Sequence, residues 1–207
     1  MANFPVMLKL TGRRCVIVGG GGVAHRRAAA LLEAGAAVTV IAPAVEDKLA
    51  ALPVSIERRA YRRGDLDGAR LVVIATDDPA VNRRVAEDAA AAGVLVNRTD
   101  DPDAGDVAVP AHGRHGAVTI AVDTAGISAA AAATIRRQLS EKLDPDWPRL
   151  LEAVAPYREQ VRQRIADRAE RQVRLRRLTD EQAMNILKAQ GTEALRRHCE
   201  ALLREET

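Results

Sequence analysis

The sequence predicts an α/β protein: a doubly wound parallel sheet in the first half and a helical region at the end. Three observations carry this. Short apolar runs alternate with helix-period segments up to about residue 97, the pattern of successive β-α-β units. The first apolar run opens into Gly19-Gly-Gly-Gly-Val-Ala24, a glycine turn that leads straight into a helix pattern. Beyond Asp144-Pro-Asp-Trp-Pro148 only helical periodicity remains.

The elements follow in order. Residues 15–18 are wholly apolar and read as a buried strand. Residues 23–34 are a helix that Gly35 ends. Residues 37–42 form a second strand, stopped by Pro43, and a short helix is predicted near residues 45–52. Residues 54–58 alternate as a third strand, and residues 71–75 are another continuous apolar run. Thr76-Asp-Asp-Pro79 starts a helix over residues 79–92, with Pro79 in its first turn and Gly93 after its end. A short strand over residues 95–97 leads into a polar loop, residues 98–105, at the edge where open α/β sheets bind ligands. Residues 107–110 and 117–122 are predicted as two strands around a turn rich in Gly and His, and residues 127–143 as a helix, Ala-rich at first. Past the proline boundary, Leu150, Val154, Tyr157, Val161 and Ile165 fall on one helix face. Further helices are predicted from Thr179 to about Lys188 and over residues 192–203.

The turn fits G-x-G-x-x-A with Gly19, Gly21 and Ala24. Gly19 lets the chain reverse, Gly21 lets backbone approach a pyrophosphate, and Ala24 lets the helix pack closely on the sheet. The free N–H groups of the helix start, around Gly22 and Val23, suit phosphates. This is a Rossmann-type dinucleotide site. Such sites usually carry an acid at the end of the second strand for the ribose. Here that stretch reads Val40-Ile-Ala-Pro-Ala44, without acid or Arg, and the first acid is Glu46. Spacing alone therefore leaves NAD and NADP open. A backbone-lined ribose pocket would involve Pro43 and Ala44. Thr76, Asp77 and Asn97 end strands at the same edge and are cofactor candidates, with Asp77 equally suited to cap the next helix. Asn82 reads as a helix residue. Asp100, on the polar loop, is the candidate proton acceptor, against a plain turn role before Pro102. His112 and His115 read as turn residues, and Arg98, Arg114, Arg136 and Arg137 as possible carboxylate clamps.

Composition narrows the classes. Apolar residues make up 47% and aromatics 2%, so the core is built from Ala, Val, Leu and Ile. Net charge is only +3, and residues 149–177 hold nine Arg against four acids. So few aromatics supply base stacking poorly, which argues against a nucleic-acid partner. Cys15 and Cys199 form neither a disulfide framework nor a metal-type spacing. No signal sequence or apolar run of membrane-spanning length is present, so the expected location is the cytoplasm, with no membrane partner. The Tyr-x-x-x-Lys pair of short-chain dehydrogenases is missing: Asp65 follows Tyr61 and Val161 follows Tyr157 at that distance.

Five motifs in register resemble one family. They are Gly19-Gly-Gly-Gly-Val-Ala-His-Arg-Arg27, Val38-Thr-Val-Ile-Ala-Pro43, Ala75-Thr-Asp-Asp-Pro-Ala-Val-Asn-Arg-Arg-Val85, Asn97-Arg-Thr-Asp-Asp-Pro102 and Val118-Thr-Ile-Ala-Val-Asp-Thr-Ala-Gly-Ile-Ser128. Together they resemble precorrin-2 dehydrogenase, which also forms the N-terminal module of siroheme synthases. The resemblance covers residues 4–143 firmly and the helical tail loosely. It implies oxidation of precorrin-2 to sirohydrochlorin with NAD as cofactor, and in some members insertion of Fe2+ as well. It implies an NAD-binding Rossmann domain over residues 1–110, a dimerisation region over 111–145 and a helical domain over 146–207, assembled as a homodimer. It also places the family's key aspartate at Asp100. Two departures stand out. The family's Ser-Gly-Gly-Thr-Ser-Pro is Thr124-Ala-Gly-Ile-Ser-Ala129 here, so the modified serine of some relatives aligns with Thr124. The length to Thr207 leads us to expect no methyltransferase domain. A different class, a non-enzymatic NAD-sensing regulatory domain, shares the glycine turn but generally keeps the acid after the second strand.

Overall fold

Strand β1 (Arg14–Val18) is apolar on both faces, and the first half of the chain is arranged to cover both. The computed structural model describes residues 3–204, and the chain divides into two compact units between Val109 and Pro110. In the first unit β1 pairs in parallel with β2 (Ala37–Ile41) on one side. Beyond β2 come the short helix α2 (Asp47–Ala50) and the edge strand β3 (Ser55–Glu57). On its other side β1 pairs with β4 (Leu71–Ile74), and β4 pairs with β5 (Leu95–Arg98). The parallel order is β3-β2-β1-β4-β5. The chain therefore reverses direction across the sheet between β1 and β4, which opens a crevice at the carboxyl ends of those strands.

Side-chain alternation sorts the core into two layers. Cys15, Ile17, Val38, Val40, Leu71 and Val73 face helix α1 (Gly22–Glu33), which contributes Ala24, Ala28 and Leu31. Val16, Val18, Ile41, Val72, Ile74 and Val96 face helix α3 (Pro79–Ala92), which contributes Val85 and Ala89. Alanines at the contact faces let both helices lie close to the strands, so a core almost free of aromatics still fills. Burial pushes the Cys15 thiol up to about 11, which makes it a core residue without thiolate reactivity.

In the second unit β6 (Ala111–His115) and β7 (Val118–Val122) form an antiparallel hairpin against which α4 (Ala129–Lys142) packs. Helices α5 (Asp146–Arg164), α6 (Arg168–Arg177) and α7 (Glu181–Arg204) enclose a separate core of Leu150, Val154, Val161, Leu178, Leu187, Leu195, Cys199 and Leu202. Helix α7 is interrupted at Gly191 (φ 80°, ψ −176°), where the sequence predicts a break between two helices.

Three expectations are corrected, and one helix is added. Residues 107–110 are not a strand of the hairpin. Val107 instead donates its N–H to Val96 beside β5, and Pro110 has no N–H to give a ladder, so β6 begins at Ala111. Asp78, not Asp77, caps α3, accepting from Ala80 N at 2.8 Å and Val81 N at 3.2 Å. Ser128 caps α4, which leaves Ile127 outside the helix and exposed. Finally, α6 is a separate helix. Asp167 caps it through Glu170 N, so the Asp-x-x-Glu signature marks its start. Arg174 of α6 is buried, donates to the Leu202 carbonyl and pairs with Glu170 at 2.8 Å.

Candidate functional site

The candidate residues converge because four parallel strands end at one edge. Gly19–Val23 follow β1, Pro43 and Ala44 follow β2, Thr76 and Asp77 follow β4, and Asn97 and Asp100 lie at or just past the end of β5. The glycine turn is wedged between two neighbours. Gly19 has φ +132°, and a Cβ on it would lie 2.2 Å from the Ala75 carbonyl oxygen. A Cβ on Gly20 would lie 1.9 Å from the Ala44 carbonyl oxygen. Neither position admits a side chain. Gly20 is thus as constrained as Gly19, although the G-x-G-x-x-A pattern leaves it free. The only trace of this in the sequence is four glycines where the pattern asks for two.

Gly21 and Gly22 are different. Their missing Cβ atoms would meet nothing closer than 3.6 Å and 3.9 Å, at the Glu46 carboxylate and the Arg26 guanidinium. Gly21 has φ −93° and ψ −168°, a conformation open to any residue. No internal packing requires glycine at either place, so the space they leave faces outward as a cradle. Gly21 caps α1 without a side-chain acceptor, and the first turn of α1 carries no acid. Its N–H groups are thus presented to an anion. Ala24 is fully buried against the sheet and Val23 is partly exposed at the rim.

Asn97 gives a second sign of fit. It is 3% exposed and its Nδ2 donates to the Val107 carbonyl at 2.7 Å. Its Oδ1 is buried without a hydrogen-bond partner among the described residues. Asn97 shares strand parity with Leu95, which packs in the α1 layer. An unpaired buried amide oxygen costs about 1–3 kcal/mol, and a ligand donor would remove that penalty. Glycine cradle, helix N-terminus and orphan amide oxygen together fit a dinucleotide.

On the α3 side a polar network holds Asp100. Asn82, 1% exposed, donates from Nδ2 to the Thr76 carbonyl at 3.0 Å and to Asp100 Oδ2 at 3.0 Å. Its Oδ1 accepts from the Thr76 hydroxyl at 2.5 Å. Arg98 grips Asp100 with two bonds, Nε to Oδ1 at 3.2 Å and Nη2 to Oδ2 at 2.6 Å. The Arg98 fork, aided by Asn82 and opposed by partial burial, lowers the Asp100 carboxyl to about 2. Thr76 therefore positions Asn82, and Asn82 positions Asp100. The sequence reading takes Asn82 for a helix residue, since nothing local distinguishes it; its partners come from two other loops. Arg98, read as a substrate clamp, is occupied by Asp100. Asp77 is exposed and neither caps α3 nor joins the network.

The remaining candidates lie in the second unit. His112 Nδ1 lies 3.0 Å from the Pro110 carbonyl, and His115 Nε2 is buried without a partner among the described residues. The Arg136 guanidinium lies 3.3 Å from where Gly113 would carry a Cβ, and Arg137 Nε is 3.9 Å from Glu141. Among the described residues no group of three or more His, Cys, Asp or Glu is placed to hold a metal ion, and no helix is long and apolar enough to cross a membrane.

Comparisons with known proteins agree with this geometry. Residues 6–111 match the family described as "Putative NAD(P)-binding". The siroheme synthase of Chromobacterium violaceum is 40% identical over 171 residues, 81% of this chain and 36% of that protein. The siroheme synthase of Azotobacter vinelandii is 35% identical over 211 residues, 95% of this chain and 43% of that protein. The chain thus spans well under half the length of these curated relatives. A solved structure, "SirC, precorrin-2 dehydrogenase", superposes with a TM-score of 0.76 at 26% identity, covering 96% of this chain and 100% of that one. The resemblance drawn from the five motifs is borne out, as is the α/β fold with a helical C-terminal region.

Two measurements check the site. Gly20→Ala is expected to destabilise the fold by about 2–3 kcal/mol in urea denaturation. Gly21→Ala is expected to cost under about 1 kcal/mol while weakening NAD+ binding at least tenfold; equal stability losses in the two variants would refute the distinction between wedge and cradle. The second concerns Asp100. Its folded value lies below the usual 3.8, so its contribution to stability is present above about pH 3.8 and is lost as pH falls through about 2. Followed by carboxyl NMR, Asp100 is expected to titrate near pH 2 in the wild type and close to the usual carboxylate value in Arg98→Ala. An unchanged titration would show that Arg98 is not the cause.

Proposed function

This chain belongs to the NAD(P)-binding family matched over its residues 6–111, and from that premise we propose that it catalyses the NAD+-dependent oxidation of precorrin-2 to sirohydrochlorin. The observation that carries the reading is the pairing, at one sheet edge, of a glycine cradle with a carboxylate built into a network. A dinucleotide site alone supports only nucleotide binding. Asp100, held by Asn82 and Arg98 past β5, adds a group able to take a proton. Likeness to the precorrin-2 dehydrogenase over nearly the whole of both chains supports precorrin-2 as the substrate.

The oxidation removes a hydride and a proton from the tetrapyrrole and gives NADH. Bound NAD+ would supply the hydride acceptor. Gly19, Gly21, Gly22, Val23 and Ala24 would hold it at the first turn, with Pro43 and Ala44 on the ribose side and Thr76, Asp77 and Asn97 along the crevice. Asp100 is the proton acceptor. Held by Arg98 it is ionised at neutral pH but only weakly basic. The substrate is a polycarboxylate, and a carboxylate that competes for the Arg98 fork loosens its grip on Asp100. Basicity then rises as substrate binds. A homodimer through the hairpin and α4 belongs to the same reading, supported by the exposure of Ile127, Ile135 and Leu139.

The test is an anaerobic assay with precorrin-2 and NAD+, following NADH and sirohydrochlorin absorbance. Turnover is expected, and Asp100→Ala is expected to lower kcat by about a hundredfold or more. Absence of turnover in protein that binds NAD+ would overturn the enzymatic reading in favour of a nucleotide-sensing domain. An Asp100→Ala variant at full rate would remove Asp100 from proton transfer.

A further inference from the structure

The acid missing from the end of β2 is present in space. Glu46 stands five residues beyond Ile41, outside the usual ribose-reading position. The loop after Pro43 folds back over the glycine turn, and Glu46 N donates to the Gly20 carbonyl at 2.9 Å. This bond fixes the Glu46 backbone against the turn. The side chain then carries Oε1 to 3.6 Å from the missing Cβ of Gly21 and Oε2 to 3.9 Å from that of Gly22. The carboxylate has no hydrogen-bond or ion-pair partner among the described residues, and the residue is exposed. It therefore overhangs the one part of the turn that internal packing leaves open.

We propose that Glu46 is the specificity-determining acid of the dinucleotide site, accepting hydrogen bonds from the adenosine ribose hydroxyls and excluding a 2′-phosphate. The inference rests on the dinucleotide-binding reading but not on the identity of the tetrapyrrole substrate. A carboxylate accepts from ribose hydroxyls, and these charge-assisted bonds are about twice as strong as neutral ones. The same carboxylate repels a phosphate placed on the 2′ oxygen. Arg26 of α1 brings its Nη1 to 3.9 Å from the missing Cβ of Gly22, and a cation there would favour the pyrophosphate. The bond from Glu46 N to Gly20 O does the work that position at a strand end does in other dinucleotide folds: it holds the acid at a fixed distance from the turn. A short loop with two exposed residues, Pro43 and Ala44, delivers it there.

Calorimetric titration of the full chain with NAD+, NADP+ and 2′-deoxy-NAD+ tests this without turnover. Wild type is expected to bind NAD+ at least tenfold more tightly than either of the other two. Glu46→Gln, an exposed isosteric change, is expected to lose most of both differences, bringing the three ligands within about threefold of one another. The proposal is overturned if Glu46→Gln leaves the NAD+/NADP+ ratio unchanged. It is equally overturned if the variant binds all three ligands more tightly by the same factor, because the carboxylate then only competes with the pyrophosphate for the helix start. Tighter binding of NADP+ than NAD+ by wild type would assign the rim to Arg26 instead and overturn it too. Failure of both proteins to bind any of the ligands would refute the dinucleotide reading beneath it.

Discussion

Two carbonyl oxygens, those of Ala75 and Ala44, press against the glycine turn and leave no room for a Cβ at Gly19 or Gly20. The rest of the site depends on this close approach. It draws the ends of β1, β2 and β4 together at the crevice where the sheet order reverses. It fixes where α1 begins, and so where its free N–H groups point. It also sets the height of the loop after β2, from which Glu46 returns to bond with Gly20. One steric requirement, absence of two methyl-sized groups, thereby positions the start of α1, the loop after β2 and Glu46 at once.

The second half of the site has a different foundation. Asp100 is held by hydrogen bonds rather than by steric fit, through a chain that runs from the Thr76 hydroxyl to Asn82 and on to the carboxylate. Asn82 is almost fully buried, and each polar atom of its amide has a partner. Such networks specify geometry sharply because every unpaired member is expensive. The network lies on the α3 side of the sheet, whereas the orphan oxygen of Asn97 belongs to the α1 side by strand parity. Adjacent residues of β5, Asn97 and Arg98, thus point to the α1 and α3 sides because a strand turns successive side chains to opposite faces.

Much of this was legible in the sequence. Continuous apolar runs identified β1 and β4, because a strand buried on both faces admits no polar alternation. Glycines at 35 and 93 and Pro79 fixed the helix ends, because their backbone preferences are local. The glycine turn declared itself for the same reason. What stayed hidden was non-local. Asn82 looked like any polar helix residue because its partners, Thr76 and Asp100, are six and eighteen residues away along the chain. Glu46 lay outside the expected position because no spacing rule anticipates a loop that folds back. The hairpin was misplaced by a few residues because Val107 extends alongside β5, a pairing that a strand pattern cannot assign to one partner or another. Helix α6 had a readable start at Asp167, but a continuous polar helix pattern masked it.

The turn wedged by Ala44 and Ala75 leaves Gly21 and Gly22 open as the proposed dinucleotide cradle. An amide NMR titration with NAD+ tests it most directly. The expected result is saturable shifts of the Gly21, Gly22 and Val23 backbone amides and of the Asn97 side-chain amide, with the core of α5, α6 and α7 unmoved. Shifts confined to the helical unit, or none at the glycine turn at saturating NAD+, would contradict it.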